Sequence, residues 1–176
     1  MPDKGVIRMN IFAVDESPSA AAEYLCDAHV VKMILETAQI LCTVHDLHGE
    51  WEDWMYKPTH RHHPSVLWAA ENDCNYSWLT YHFYALGSEY TRRYNKKHKT
   101  IDKFSGRLSY PPLNITQTDR QTPFALAMPD EYKFFDTPVD CYRAYYAGVK
   151  SKMDRFTYRG RVKPAWLEEW TTRLAA

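Results

Sequence analysis

The 176-residue sequence predicts an all-α fold: a compact single-domain helical bundle with an irregular, proline-rich connector. Three observations predict it. Apolar residues recur at spacings of three and four, and the strict alternation of a half-buried strand is nearly absent. Proline stands where a helix would take its first turn at Ser17-Pro18, His63-Pro64 and Thr137-Pro138. Hydrophobic content of 45% with 25% charged residues is ordinary for a globular chain. A chain of this length buries roughly 70% of the surface its unfolded form exposes.

The elements follow in order. Residues 1–8 read as an added or flexible extension, and Met9–Val14 as a strand or an extended arm. Ser17 opens the first helix, with Glu23 near its first turn. Its apolar series is Leu25, Val30, Val31, Ile34, Leu35, Ala38, Leu41 and Cys42, and it runs to about His45. Leu47–Thr59 is a loop carrying Trp51, Trp54 and Tyr56. A helix starts at Pro64, and after a break near Asn72-Asp73 a longer one follows through Trp78, Leu79, Phe83, Leu86, Tyr90 and Tyr94. Lys103–Pro138 contains Pro111, Pro112, Pro123, Pro129 and Pro138 and forms the connector. Thr137 caps a further helix to about Phe156, and the tail holds Pro164-Ala165-Trp166.

No run approaches the roughly 18 apolar residues of a membrane span, and the N-terminus lacks the apolar core of a signal peptide. The expected location is the cytoplasm. Cys26, Cys42, Cys74 and Cys141 are scattered without a CxxC pair. This favours small buried hydrophobes over a disulfide framework or zinc site.

The formal net charge is zero, which argues against a protein that coats nucleic acid indiscriminately. The charge is nevertheless segregated. Asp15 to Asp53 carries nine acids against Lys32 alone, and Arg92 to Arg107 seven bases against Asp102. Lys150 to Lys163 carries six bases against Asp154. Such runs describe either solvated helix ends or a local polyanion surface, with Arg92, Arg93, Lys96 and Lys97 as candidate phosphate contacts.

On the side of the first helix away from its apolar series, His29, Lys32, Glu36, Gln39 and Thr43 fall at spacings of three and four. They form one stripe. A solvated face usually repeats charges and alanines; here five different side-chain chemistries line up. A lysine beside a carboxylate in a closed cleft can act as an amine nucleophile while the carboxylate moves protons. The plainer alternative is a surface i,i+4 pair contributing about 0.2–0.5 kcal/mol. His60, His62 and His63 precede Pro64 without the spacing of a zinc scaffold. Phosphate binding, helix capping or hydrogen bonding across the core suits His60 and His63 better than a metal, so no metal and no cofactor are expected. The aromatics Trp51, Trp54, Tyr76, Trp78, Tyr81 and Tyr84 suit a core, although any exposed ring could stack on a base.

Several segments together resemble the small all-helical pyrimidine-dimer DNA glycosylases of phages and their bacterial relatives. Met9-Asn10-Ile11-Phe12 is similar to their N-terminal arm. Tyr24-Leu25-Cys26-Asp27-Ala28 through Glu36 to Leu41 is similar to the first long helix, which carries a catalytic glutamate. His62-His63-Pro64 resembles a His-Pro element of the bacterial members, followed by Tyr76, Leu79 and Glu89, and Pro164-Ala165-Trp166 resembles a Pro-x-Trp near their C-terminus. The likeness covers Met9 to Tyr94 and the tail. It implies cleavage of the glycosidic bond of a damaged or modified pyrimidine, a Schiff base to the sugar, strand cleavage by elimination, and no metal. It also implies a nucleophilic α-amine exposed by removal of the initiator methionine. Met1 before Pro2 would give a secondary amine; with a start at Met9 the bulky Asn10 disfavours methionine removal, and Lys32 is the alternative amine. Glu36 lies further from the arm than the family's glutamate.

The leading expectation is therefore a DNA glycosylase, with or without lyase activity, using Glu36, Lys32 and His29, with DNA as partner. Another DNA-base or nucleotide-modifying enzyme built on the same stripe, and a non-catalytic DNA-binding protein, are the alternatives. Borohydride trapping on abasic DNA separates an imine-forming enzyme from both.

Overall fold

The computed structural model describes residues 9–176, so the expectations placed on residues 1–8, including an amine at Pro2, lie outside the described residues. Seven α-helices and no strand are present among the described residues. They are α1 (Pro18–Tyr24), α2 (Asp27–Leu47), α3 (Pro64–Glu71), α4 (Asp73–Tyr94), α5 (Lys99–Phe104), α6 (Pro138–Gly148) and α7 (Ala165–Ala175).

The single first helix expected from Ser17 to His45 is two helices. Ser17 caps α1 as expected, its side chain accepting from the Ala20 amide at 3.3 Å. Leu25 and Cys26 are extended, however, and interrupt the helix. The amide of Cys26 donates to the Tyr146 hydroxyl at 2.9 Å, and that of Asp27 to the Thr157 carbonyl at 2.8 Å. Both partners come from the far end of the chain, so helical periodicity could not reveal the break.

The starts of α3, α4 and α6 follow the sequence signals. His63 Nδ1 accepts from the Ser65 amide at 3.1 Å, Asn72 caps α4 through the Asn75 amide at 2.8 Å, and Thr137 caps α6 through the Asp140 amide at 3.1 Å. The far ends are less legible. α6 stops at Gly148, short of Phe156, where Tyr132 packs so closely that a Cβ would lie 2.6 Å from its hydroxyl. Two short helices were not expected: α5, capped by His98, and α7 in the tail. Between α5 and α6 the connector is irregular apart from two short 3₁₀ turns.

α2 and α4 pack together at the centre, with α1 against α4, α3 against both, and α6 paired with α7. The arm, Met9–Val14, is irregular, with the Val14 amide turning back to the Phe12 carbonyl at 2.7 Å, and is almost wholly buried, with Ile11, Ala13 and Val14 at 0% exposure. It contacts α2 and α6 side chains and turns the polar stripe of α2 into interior surface.

Candidate active site

The stripe on α2 is real as a geometric series but does not face solvent. His29, Glu36 and Thr43 are buried, Gln39 is half-buried, and Lys32 reaches out with its side chain 58% exposed. Conversely Val31 and Leu35, counted in the apolar series, are 37% and 40% exposed. The arm covers the polar side, so the outward face of α2 becomes Ala28, Val31, Lys32 and Leu35.

Glu36 is the junction. One carboxylate oxygen lies 3.0 Å from Lys32 Nζ, and the other accepts the backbone N–H of Asn10 at 3.3 Å. Burial raises its pKa above the ordinary carboxylate value, against the opposing pull of Lys32, the Asn10 amide and the charge of His60. Asn10 is itself anchored: its Nδ2 donates to the Ala127 carbonyl at 2.6 Å, and its Oδ1 accepts the amides of Ile11 and Phe12 at 2.8 Å. Phe12 adopts a positive φ of 45°, an uncommon backbone for a bulky residue. Its ring stacks on His29 at 4.5 Å and meets Tyr146 edge-on at 5.4 Å.

His29 Nδ1 lies 2.7 Å from the Tyr146 hydroxyl. The same tyrosine oxygen accepts the Cys26 amide at 2.9 Å, so the hydroxyl ties the His29 ring to the break between α1 and α2. Burial, then the charges of Lys150 and Lys32, pushes the His29 pKa down to about 3, leaving a neutral ring beside the pair. Lys150 Nζ sits over the Tyr145 and Phe12 rings at 5.0 and 5.7 Å. Asn10, Tyr146 and Lys150 were not singled out as site residues from sequence. Asn10 carried a signal only as part of the arm segment Met9-Asn10-Ile11-Phe12, Lys150 only as the first base of the second basic run, and Tyr146 none.

Further along the stripe Thr43 Oγ1 donates to the Gln39 carbonyl at 2.7 Å and accepts the Thr59 amide at 3.1 Å. Arg61 pairs with Asp46 on the same helix. These contacts dock the histidine-rich loop on α2. His60, at φ 50°, is exposed, with Nδ1 2.7 Å from Thr59 Oγ1. His63 is half-buried, with Nδ1 used in the α3 cap and Nε2 buried without a hydrogen-bond partner among the described residues. Among the described residues no group of three or more His, Cys, Asp or Glu side chains could hold a metal ion.

The first basic run needs a correction. Arg93 is no phosphate contact: its side chain is 0% exposed. It donates through Nε to Glu89 at 3.1 Å, through Nη1 to the Leu25 carbonyl at 2.8 Å and Asp27 at 3.1 Å, and through Nη2 to the Glu23 carbonyl at 2.8 Å. A guanidinium brought into the core needs most of its donors paired, and this one has them. Lys97 stays exposed but pairs with Asp102 at 2.6 Å. Arg92 and Lys96 are exposed and without an ion-pair partner among the described residues.

No helix among the described residues is long and apolar enough to cross a membrane. No curated protein and no solved structure matches the chain. A family model for pyrimidine dimer DNA glycosylase matches residues 9–102. That span takes in the arm, the whole stripe, and the loop bearing His60 and His63, and ends within α5. Covering more than half of the sequence, the match makes this chain a member of the pyrimidine dimer DNA glycosylase family.

Proposed function

We propose that the chain excises a damaged or modified pyrimidine from DNA, with Glu36 as the working carboxylate and Lys32 as the amine beside it. The observation that carries this reading is the Glu36 carboxylate, buried and held between two nitrogens at 3.0 and 3.3 Å. Glycosidic cleavage builds positive charge on the sugar, and a carboxylate held in low dielectric at that point stabilises it. Lys32 passes a proton to Glu36, its amine adds its lone pair to C1′ as the bond to the base breaks with its electrons leaving on the base, and the base takes that proton from Glu36, which restores the carboxylate beside the charged sugar. Opening of the sugar ring gives the imine. Removal of the C2′ proton then expels the 3′ phosphate, which is the lyase step. Glu36 suits proton acceptance because burial raises its basicity, and Lys32 must pass it a proton to become nucleophilic. His29, neutral and fixed by Tyr146, supplies a hydrogen-bonding wall. His60, Arg92, Lys96 and Lys97 are proposed to meet phosphates from the exposed side.

A second amine is favoured by one specific contact. The nitrogen of Asn10 is the other group on Glu36, and processing after Met9 would turn that amide into an α-amine at the carboxylate. Borohydride trapping on abasic DNA, followed by peptide mapping, tests the function and chooses between the nitrogens. Attachment at Lys32 or at an N-terminal Asn10 supports the corresponding amine. Absence of any trapped species, together with no released base from lesion-bearing duplex, overturns the proposal.

A further inference from the structure

A cleft of about 610 Å³ opens between the outward face of α2 and the segment that follows α6. Ala28 and Val31 of α2, Tyr94 at the end of α4, and Arg155, Thr157 and Arg159 line it. Ala28 lies one helical turn before Lys32 and Val31 immediately before it, so the cleft shares the outward face of α2 with Lys32, whose side chain does not itself line it and turns to Glu36.

Its chemistry is that of a nucleotide pocket rather than a plain basic surface. Val31 offers exposed apolar area, and Tyr94 a half-buried ring with the Arg159 guanidinium 5.6 Å from its centroid. Arg155 and Arg159 are exposed, and neither is ion-paired among the described residues. Asp27 also lines the cleft, and its charge is already used. It accepts from Arg93 at 3.1 Å, from the Thr157 hydroxyl at 2.7 Å and from the Arg159 amide at 2.9 Å. The same bonds fix the arginine-bearing segment against α2, so the cleft is preformed. An aromatic and apolar floor takes a base on the open side of the Tyr94 ring, and two guanidinium groups without ion-pair partners among the described residues, one of them lying over that ring, take the phosphates on either side of it.

We infer that this cleft holds the nucleotide flanking the reacting one on the same DNA strand, with its base against Tyr94 and Val31 and its phosphates on Arg155 and Arg159. This rests on the reading of Lys32 and Glu36 as the reactive site. The test uses the full chain and a duplex carrying a tetrahydrofuran abasic analogue, with 2-aminopurine at the flanking position. Replacing both Arg155 and Arg159 with Ala should lower the slope of log affinity against log salt by about two units, while the double Lys replacement keeps it. Tyr94→Leu should keep the slope and remove the quenching of 2-aminopurine. An unchanged slope in the double Ala variant overturns the inference, and if Glu36→Gln still abolishes excision the proposed function stands without it. A lowered slope in a chain that excises nothing keeps the cleft as a DNA surface and removes the proposed function. Thymidine monophosphate competing at micromolar concentration would instead make the cleft a site for free nucleotides and overturn the strand assignment.

Discussion

Glu36 on α2 and Glu89 on α4 are both nearly buried carboxylates, 8% and 7% exposed, each with a cation on its own helix, yet their pKa values move in opposite directions. Burial raises that of Glu36 because its partner Lys32 is a single ammonium on a solvent-exposed stem. Glu89 is lowered despite its burial, because Arg161 and Arg93 both bond it. Arg93 extends that network to Asp27, and Arg161 to Glu23. A saturated carboxylate is held ionised and has nothing left to offer a substrate; an under-compensated one can exchange protons. The first kind of site ties α1, α2, α4 and the 157–161 segment together. The second is where chemistry is expected.

The largest expected effect falls on the saturated side. Arg93→Met leaves Asp27 with its Thr157 and Arg159 bonds but without its cation, and reduces the support of Glu89, so urea unfolding should show a loss of about 3–5 kcal/mol, the range for breaking a buried pair. A loss below about 1 kcal/mol would mean that the network adds no more than a surface pair. Next comes Glu36→Gln, which keeps shape and deletes charge. Base excision should fall at least about 10²-fold with stability and DNA affinity little changed, measured by single-turnover release of the base. Parental turnover in a folded variant would remove Glu36 from the mechanism.

Acidification separates the two regions further. The unfolded chain protonates His29 near 6.5, whereas the native ring resists until about 3. Between those values the unfolded state holds the extra proton, so stability is lost as pH falls, by about 1.4 kcal/mol per pH unit for this group. Glu89, with its value lowered, keeps its contribution until pH drops below the usual carboxylate range. His29→Gln should therefore flatten the stability profile between about pH 4 and 6, and an unchanged profile would show that the His29 environment is not closed. Excision should also decline on acidification from above the usual carboxylate range, because Glu36 is raised and works as the carboxylate.

The smallest effect concerns the first basic run. Arg92→Ala and Lys96→Ala should each reduce the salt slope of DNA binding by about one unit if they contact phosphates, and no change would leave the arginines after α6 as the principal surface.

Sequence by itself determined the helical class, the start signals at Ser17, Pro64 and Pro138, and the alignment of His29, Lys32, Glu36, Gln39 and Thr43. These are local matters of spacing and capping, readable within a few turns of chain. It also carried a family likeness over the same region that the family model matches. The break at Leu25-Cys26 was not legible, because Tyr146 and Thr157 supply the hydrogen bonds. Nor was the burial of the stripe, because Met9–Val14 had to be laid across α2 before a polar face could become interior. Arg93 and Arg92 are adjacent and chemically identical in sequence, but only tertiary structure sends one into a ring of acceptors and leaves the other in water. Helical periodicity follows from backbone geometry, whereas a charge's solvation depends on groups brought from distant parts of the chain, and that solvation decides whether it stabilises the fold or remains available for chemistry.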